Sequence, residues 1–309
     1  MRAPAATGPA AGILWMILSG LNFVAVTALV KHVGSSVPAA ESAFIRYLLG
    51  LVFLLPMIRP ILAARLTRRQ VAMFALRGAL QAAGVILWFY SMTQITIAEV
   101  TALNYMNPVF VTLGAALILG EALPPRRLVA VLIALAGAMV ILRPGIREIE
   151  TGHLTMILTA LMFAAAYMVV KVLSGEVGAV VIVGMLSIMT PIFLAPFAFA
   201  VWVTPSLAEV GWLFLVACFA TAGHYAMTRA FAAAPLTVTQ PATFLQLIWA
   251  VAVGMVFFGE PIDGMVVLGA ALILAAVTYI TWRESRARRR AAAEAGRPAV
   301  AAAVDSAAR

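Results

Sequence analysis

The 309-residue chain is 64% hydrophobic and 11% charged, with a net charge of +9 and a mean hydropathy of +1.05. Soluble domains carry about 25% charged residues, so these values exclude a soluble fold and require an integral membrane protein. The positive charge does not indicate nucleic acid, because the basic residues sit at the ends of apolar runs and in a C-terminal tail instead of forming a basic domain.

In chain order, residues 1–12 form a short leader that runs directly into an apolar segment of spanning length, read as a retained first helix and not a cleaved signal. Apolar runs and their breaks predict ten spans, at 13–30, 42–58, 71–91, 98–119, 128–142, 154–170, 179–202, 210–228, 237–258 and 264–282. None shows the alternating ten-residue pattern of a membrane barrel, so the fold class is an all-α membrane protein. The connections, such as "LGEALPPRR" and "FGEPID", are short and carry the Gly and Pro that stop helices. Cys218, the single cysteine, lies within an apolar run, so no intrachain disulfide can form.

An N-terminus placed inside puts Arg2, Arg59, Arg65, Arg68, Arg69, Arg126, Arg127, Lys171, Arg229 and the seven arginines from Arg283 onward on one face. Only Lys31, Arg143 and Arg147 fall on the other. The positive-inside rule then places both termini in the cytoplasm, with 283–309 as a basic, disordered tail.

The halves of the chain repeat. Leu14–Val33 aligns without gaps on Leu154–Leu173 at an offset of 140, with nine of twenty positions identical, Lys31 and Lys171 among them. At an offset of 139, Gly120-Glu121 falls on Gly259-Glu260, Asn107 on Gln246 and Asn104 on Thr243. The expected organisation is a first five-helix repeat over 13–147 and a second over 148–282. Five is odd, so the second repeat enters the membrane from the opposite side. Inverted repeats of this kind place a site near the midplane and expose it alternately to each side, as a carrier requires.

Several residues are candidates to line that site. Asn104 and Asn107 share a broad face of the fourth span, and Thr243 and Gln246 share one on the ninth. An unsatisfied amide facing lipid costs several kcal/mol, so these faces turn either to a cavity or to a neighbouring helix. Pro108 can kink the fourth span beside them. Trp249 lies in mid-span near the Thr243 and Gln246 face, where it either stacks on a substrate or packs. Trp15, Trp88, Trp202, Trp212 and Trp282 lie near span ends and read as an interfacial belt. His224 is deep in the eighth span and is a ligand, a proton site or a hydrogen-bonded structural residue. Arg46 and Arg77 lie one to two turns inside spans two and three, where each either snorkels to the interface or serves as counter-ion to a carboxylate. Glu121 and Glu260 close their helices at opposite surfaces as gate or packing corner. Glu41, Glu99, Glu209 and Asp263 also sit near span ends, so no carboxylate proton relay is expected at the centre, and His224 is the best-placed group to carry a proton.

"ESAFIRYLLG", "NPVFVTLGAALILGE" and "FLQLIWAVAVGMVFFGE", in this order and spacing on ten spans, resemble the EamA family of the drug/metabolite transporter superfamily over about 13–282. The resemblance implies a bacterial inner-membrane carrier of small metabolites, often amino acids, with a cavity lined by helices one to four and six to nine. Exporters of aromatic and other amino acids are closest in layout, which favours export, and a drug or other metabolite carrier is the alternative. No cofactor is implied, and the expected partners are a small-molecule substrate and the lipid bilayer. An embedded enzyme would need a catalytic constellation, yet the chain has no HExxH, P-loop, GxGxxG or cysteine cluster, and His32, His153 and His224 are scattered. A noncatalytic membrane scaffold is the remaining rival, and it would not need polar faces at repeat-related depths.

Overall fold

The computed structural model describes residues 9–283 apart from 35, 119, 121–123, 147, 174–175, 235–238 and 240–241, together with residue 286. Twelve α-helices occur among them. They are α1 (Pro9–Val33), α2 (Ala39–Gly50), α3 (Ile58–Ala63), α4 (Arg68–Gln94), α5 (Ile97–Asn104), α6 (Asn107–Ile118), α7 (Pro125–Leu142), α8 (Thr151–Leu173), α9 (Ala179–Ala200), α10 (Leu207–Ala233), α11 (Thr243–Phe258) and α12 (Gly264–Arg283). The expected tail lies outside the described residues apart from Arg283 and Arg286, and so does Glu121.

Local chemistry sets the helix boundaries. Thr67 with Gln70, Thr96 with Glu99 and Ser206 with Glu209 form reciprocal capping boxes that start α4, α5 and α10. Pro125 opens α7, where a missing N–H costs nothing, and Arg143 closes it in the left-handed region at φ 45°. Gly120 and Gly259, the glycines of the two Gly-Glu pairs, have φ of 67° and 64°, a backbone that favours glycine. Gly259 ends α11 and turns the chain so that the Glu260 N–H bonds the Gly254 carbonyl at 3.0 Å.

Eight helical stretches among the described residues are long and apolar enough to cross a membrane, so the chain is a multi-pass membrane protein. Two of the ten expected spans take another form. The span expected at 42–58 is α-helical to Gly50 and continues as a 3₁₀ turn over Leu51–Met57 before α3. The span expected at 237–258 contains the shorter α11, and residues 237, 238, 240 and 241 lie outside the described residues. The fourth span is broken as well. Helix α5 stops at Asn104, Tyr105 and Met106 form a turn, and α6 restarts at Asn107, because Pro108 has no N–H to bond the Asn104 carbonyl and its ring crowds that carbonyl.

Helices α1 and α10 pack extensively against each other, as do α4 and α8. Small residues let backbones approach, as lipid-embedded bundles require. Gly137 of α7 and Gly269 of α12 each face the other's carbonyl oxygen so closely that neither site has room for a β-carbon. The core between the layers is built from residues such as Phe89, Met92, Leu103, Ile141, Met156 and Ile273, all essentially inaccessible.

Candidate functional site: a cavity open toward one end

A cavity of about 950 Å³ occupies the interior between α1, α2, α4, α5–α6, α8, α10, α11 and α12. It lies at the upper end of the range that holds drug-sized ligands. Of the residues singled out above, Asn104, Asn107, Pro108, Thr243, Gln246, His224 and Arg46 all line it. The break at Tyr105 is tied to α11, because the tyrosine hydroxyl donates to the Thr243 carbonyl at 2.9 Å. The polar interruption in the fourth span and the polar start of α11 therefore meet at one wall.

Trp249 does not line this wall. Six residues beyond Thr243 at 100° per residue set it about 120° around the helix, and its ring is 38% exposed, while Ala250 takes the inward position and is fully buried. Arg77 also departs from the cavity expectation. Its guanidinium is 7% exposed and donates at 2.7 Å to the Ile182 carbonyl of α9, so it anchors two helices together. Trp88, read from its position as interfacial, instead lines the cavity and meets Phe163 edge to face at a centroid distance of 6.1 Å.

Sequence reasoning missed the aromatic character of the cavity. Phe23, Tyr47, Trp88, Tyr105, Phe163 and Tyr167 come from α1, α2, α4, the α5–α6 turn and α8. No single helix carries an aromatic stripe that would announce them. Two polar atoms on the wall stand out: Trp88 Nε1, a donor, and Asn104 Oδ1, an acceptor, are buried without a hydrogen-bond partner among the described residues. Buried polar atoms are nearly always paired, so an unpaired donor and acceptor beside a cavity fit a site that completes its hydrogen bonds with a ligand. His224 meets Phe23 edge-on at 5.0 Å, and its carbonyl accepts from Thr228. Arg46 stacks over the Tyr47 ring at 4.4 Å, and the Tyr47 hydroxyl accepts from Gln81 at 3.3 Å.

The cavity is asymmetric along the bundle. Its lining reaches Arg127 at the start of α7, Lys171 near the end of α8 and Thr281 near the end of α12. Toward the opposite end it stops at Thr27, Val100 and Thr101. Beyond those residues the helices are tied together. Lys31 pairs with Glu260 at 2.5 Å and donates to the Ile95 carbonyl at 2.8 Å, while Glu260 accepts from the Ile97 N–H at 3.0 Å. Glu99 meets fully buried His153 at 3.2 Å, Arg143 pairs with Asp263, and Glu41, itself fully buried, accepts from the Val203 N–H at 2.9 Å. Gly254 leaves no room for a β-carbon because the Glu260 carboxylate occupies that space. At the Lys171 end, Arg69 forms an exposed ion pair with Glu176. Its guanidinium and the amide of Gln70 hold the Glu176 carboxyl below its ordinary value.

Comparison with known proteins bears on this cavity. The sequence model described as the EamA-like transporter family matches twice, over residues 10–143 and 150–282. The chain is 34% identical over 285 residues to a riboflavin transporter of Rhizobium johnstonii, covering 91% of this chain and 94% of that protein. It is 28% identical over 267 residues to the pseudopaline exporter CntI of Pseudomonas aeruginosa, covering 86% and 94%. A solved crystal structure superposes with a TM-score of 0.56 at 18% identity, covering 90% of this chain and 98% of the other, a likeness of fold alone.

Proposed function

We propose, given that the chain belongs to the EamA-like transporter family, that it is a ten-helix carrier of two inverted repeats, 13–147 and 148–282, moving an aromatic heterocyclic metabolite by alternating access. Family membership makes it a transporter of small metabolites and not an enzyme. In the proposed reading α2 with α3 forms the second crossing and α11 the ninth. The excess of arginine and lysine at the Lys171 end orients that end and both termini to the cytoplasm of an inner membrane.

The observation that carries the substrate class is the cavity wall. A space of about 950 Å³, flanked by aromatic rings from several helices and by an unpaired donor and acceptor, suits a flat heterocycle with hydrogen-bonding edges. Riboflavin, the cargo named for the Rhizobium relative, is the first compound of this kind to test. Amino acids, aromatic ones above all, are the second reading, which Arg46 favours by offering a partner for a carboxylate. Export is the direction the family resemblance favours, and His224 on the cavity wall is the group proposed to give transport its pH response.

The test is counterflow in proteoliposomes containing the purified chain, with labelled riboflavin and labelled tryptophan as separate cargoes. Riboflavin exchange well above that of protein-free vesicles supports the reading, and tryptophan exchange without riboflavin exchange replaces it with the amino-acid reading. No exchange of either would remove the substrate assignment. Replacing His224 with Gln, which hydrogen-bonds without titrating near neutrality, is expected to flatten the flux profile between about pH 5.5 and 8. An unchanged profile would end the role given to His224.

A further inference from the structure

Among the described residues, the charged side chains that line the cavity have one sign. Arg46, Arg127 and Lys171 line it, and no aspartate or glutamate does so among the described residues. The carboxylates nearest the membrane interior are engaged elsewhere. Glu41 accepts from the Val203 N–H, Glu99 meets His153, and Glu260 holds Lys31 and the start of α5.

Arg46 matters most, because it sits in the second turn of α2 and so within the bundle. Its guanidinium carbon lies 4.4 Å from the centre of the Tyr47 ring, and Gln81 of α4 donates to the Tyr47 hydroxyl, so the cation is seated on a braced ring. A guanidinium held over a ring face still has N–H donors for a planar or tetrahedral oxyanion. A fixed cation at this depth is costly, and an anion entering the cavity lowers that cost more than a neutral molecule can.

We infer that the cavity selects substrates bearing an oxyanion, a carboxylate or a phosphate, which Arg46 receives. This rests on the reading of the cavity as the transport site and narrows its substrate class from aromatic to aromatic and anionic.

Two matched pairs of probes test it, riboflavin against flavin mononucleotide and phenylalaninamide against phenylalanine. Within each pair the aromatic group is shared, and an anionic phosphate or carboxylate is present in one member alone. Binding is measured on the full chain in nonionic detergent, so that no lipid phosphate competes. The expected result is that the anionic member of at least one pair binds about tenfold or more tightly, the scale of a hydrogen-bonded charge. Arg46→Gln should bring that ratio close to one, and Arg46→Lys, which keeps the charge without the fork, should leave it between. Should Arg46→Gln fail to fold, Arg46→Lys carries the test by lowering the ratio. Members without the oxyanion binding as well as those that bear it in the unaltered chain would overturn the inference and leave the transport reading standing. An anionic preference undiminished in the folded variants overturns the role of Arg46. Binding of no member in either pair overturns the inference and the transport reading together.

Discussion

Two lysines that align in sequence occupy opposite ends of the bundle and opposite circumstances. Lys31 is drawn into an ion pair with Glu260 and a bond to the Ile95 carbonyl, behind the closed side of the cavity. Lys171 lines the cavity itself, where it approaches the other end. The Lys31 end is held by partly or fully buried pairs that join α1, α4–α5, α7, α8, α11 and α12, whereas the pair of Arg69 with Glu176 at the Lys171 end is exposed. Exposed pairs contribute little and break readily, but separating a buried pair leaves uncompensated charge. The comparison teaches that closure is not a matter of apolar packing alone. Opening the Lys31 end requires those pairs to exchange partners or gain water.

The largest effect is expected from breaking the closed end directly. Glu260→Gln removes the carboxylate that holds both Lys31 and the first turn of α5, and losing one member of such a buried pair costs about 3 to 5 kcal/mol. Flux should fall at least about tenfold, and a cysteine placed at Thr27 should become reactive to a membrane-impermeant reagent added from the Lys31 side. An unreactive Thr27 cysteine with normal flux would show that the pair does not seal the cavity. His153→Ala tests the second tie. Fully buried Nε2 contacts Glu99, so loss of the ring should cost about 2 kcal/mol and lower Tm by several degrees in a detergent melt. A Tm within one degree of the parent would argue that the tie is dispensable.

A smaller, more local effect sharpens the contrast between wall and exterior. Asn104→Leu keeps the branched shape and removes the unpaired acceptor, and should reduce flux about tenfold with little change in Tm. Trp249→Leu, on the outward side of α11, should change flux less than about twofold in the same assay. Equal losses would erase the distinction between those faces. The smallest effect is expected at the Lys171 end. The Glu176 carboxyl is held below its ordinary 4.5 by Arg69, so the contribution of this pair is present above that value and lost only as pH falls through the lowered one. The pair is exposed and contributes little, so Glu176→Gln should leave flux unaltered and lower Tm only slightly, by the same amount throughout pH 6 to 8, and a large drop in that window would mean that the Lys171 end is held more firmly than its exposure suggests.

Much of this arrangement was legible in the sequence, for reasons that differ by residue. Apolar run length reports bilayer thickness, so the eight long spans could be read directly. Asn104, Asn107, Thr243 and Gln246 could be found because a polar face in hydrocarbon must have somewhere to go, and they do meet at one cavity. Arg77 could not be resolved in this way. Its acceptor is a backbone carbonyl 105 residues away, and any helix presents carbonyls, so nothing in the sequence marks Ile182 as the partner. Trp249 fails for a different reason. Depth along a helix was read correctly, but its direction around the helix depends on which face α11 turns to its neighbours. Trp88 shows the converse, because nearness to a span end does not place a ring at the lipid surface when the adjoining helix is α8. The 3₁₀ turn after Gly50 was hidden because Leu51–Leu55 is as apolar as a regular helix.

The crossing of α7 and α12 at Gly137 and Gly269 has a mechanical consequence. Backbone lies against backbone there, and the Ile273 side chain seats against Gly137 while the Ile141 side chain seats against Gly269. Knobs lodged in holes resist turning, because each must be lifted before it can move. Helices α7 and α12 are the last helices of the two proposed halves, so this point can serve as a latch, a place that holds the halves at one angle until both isoleucines are lifted.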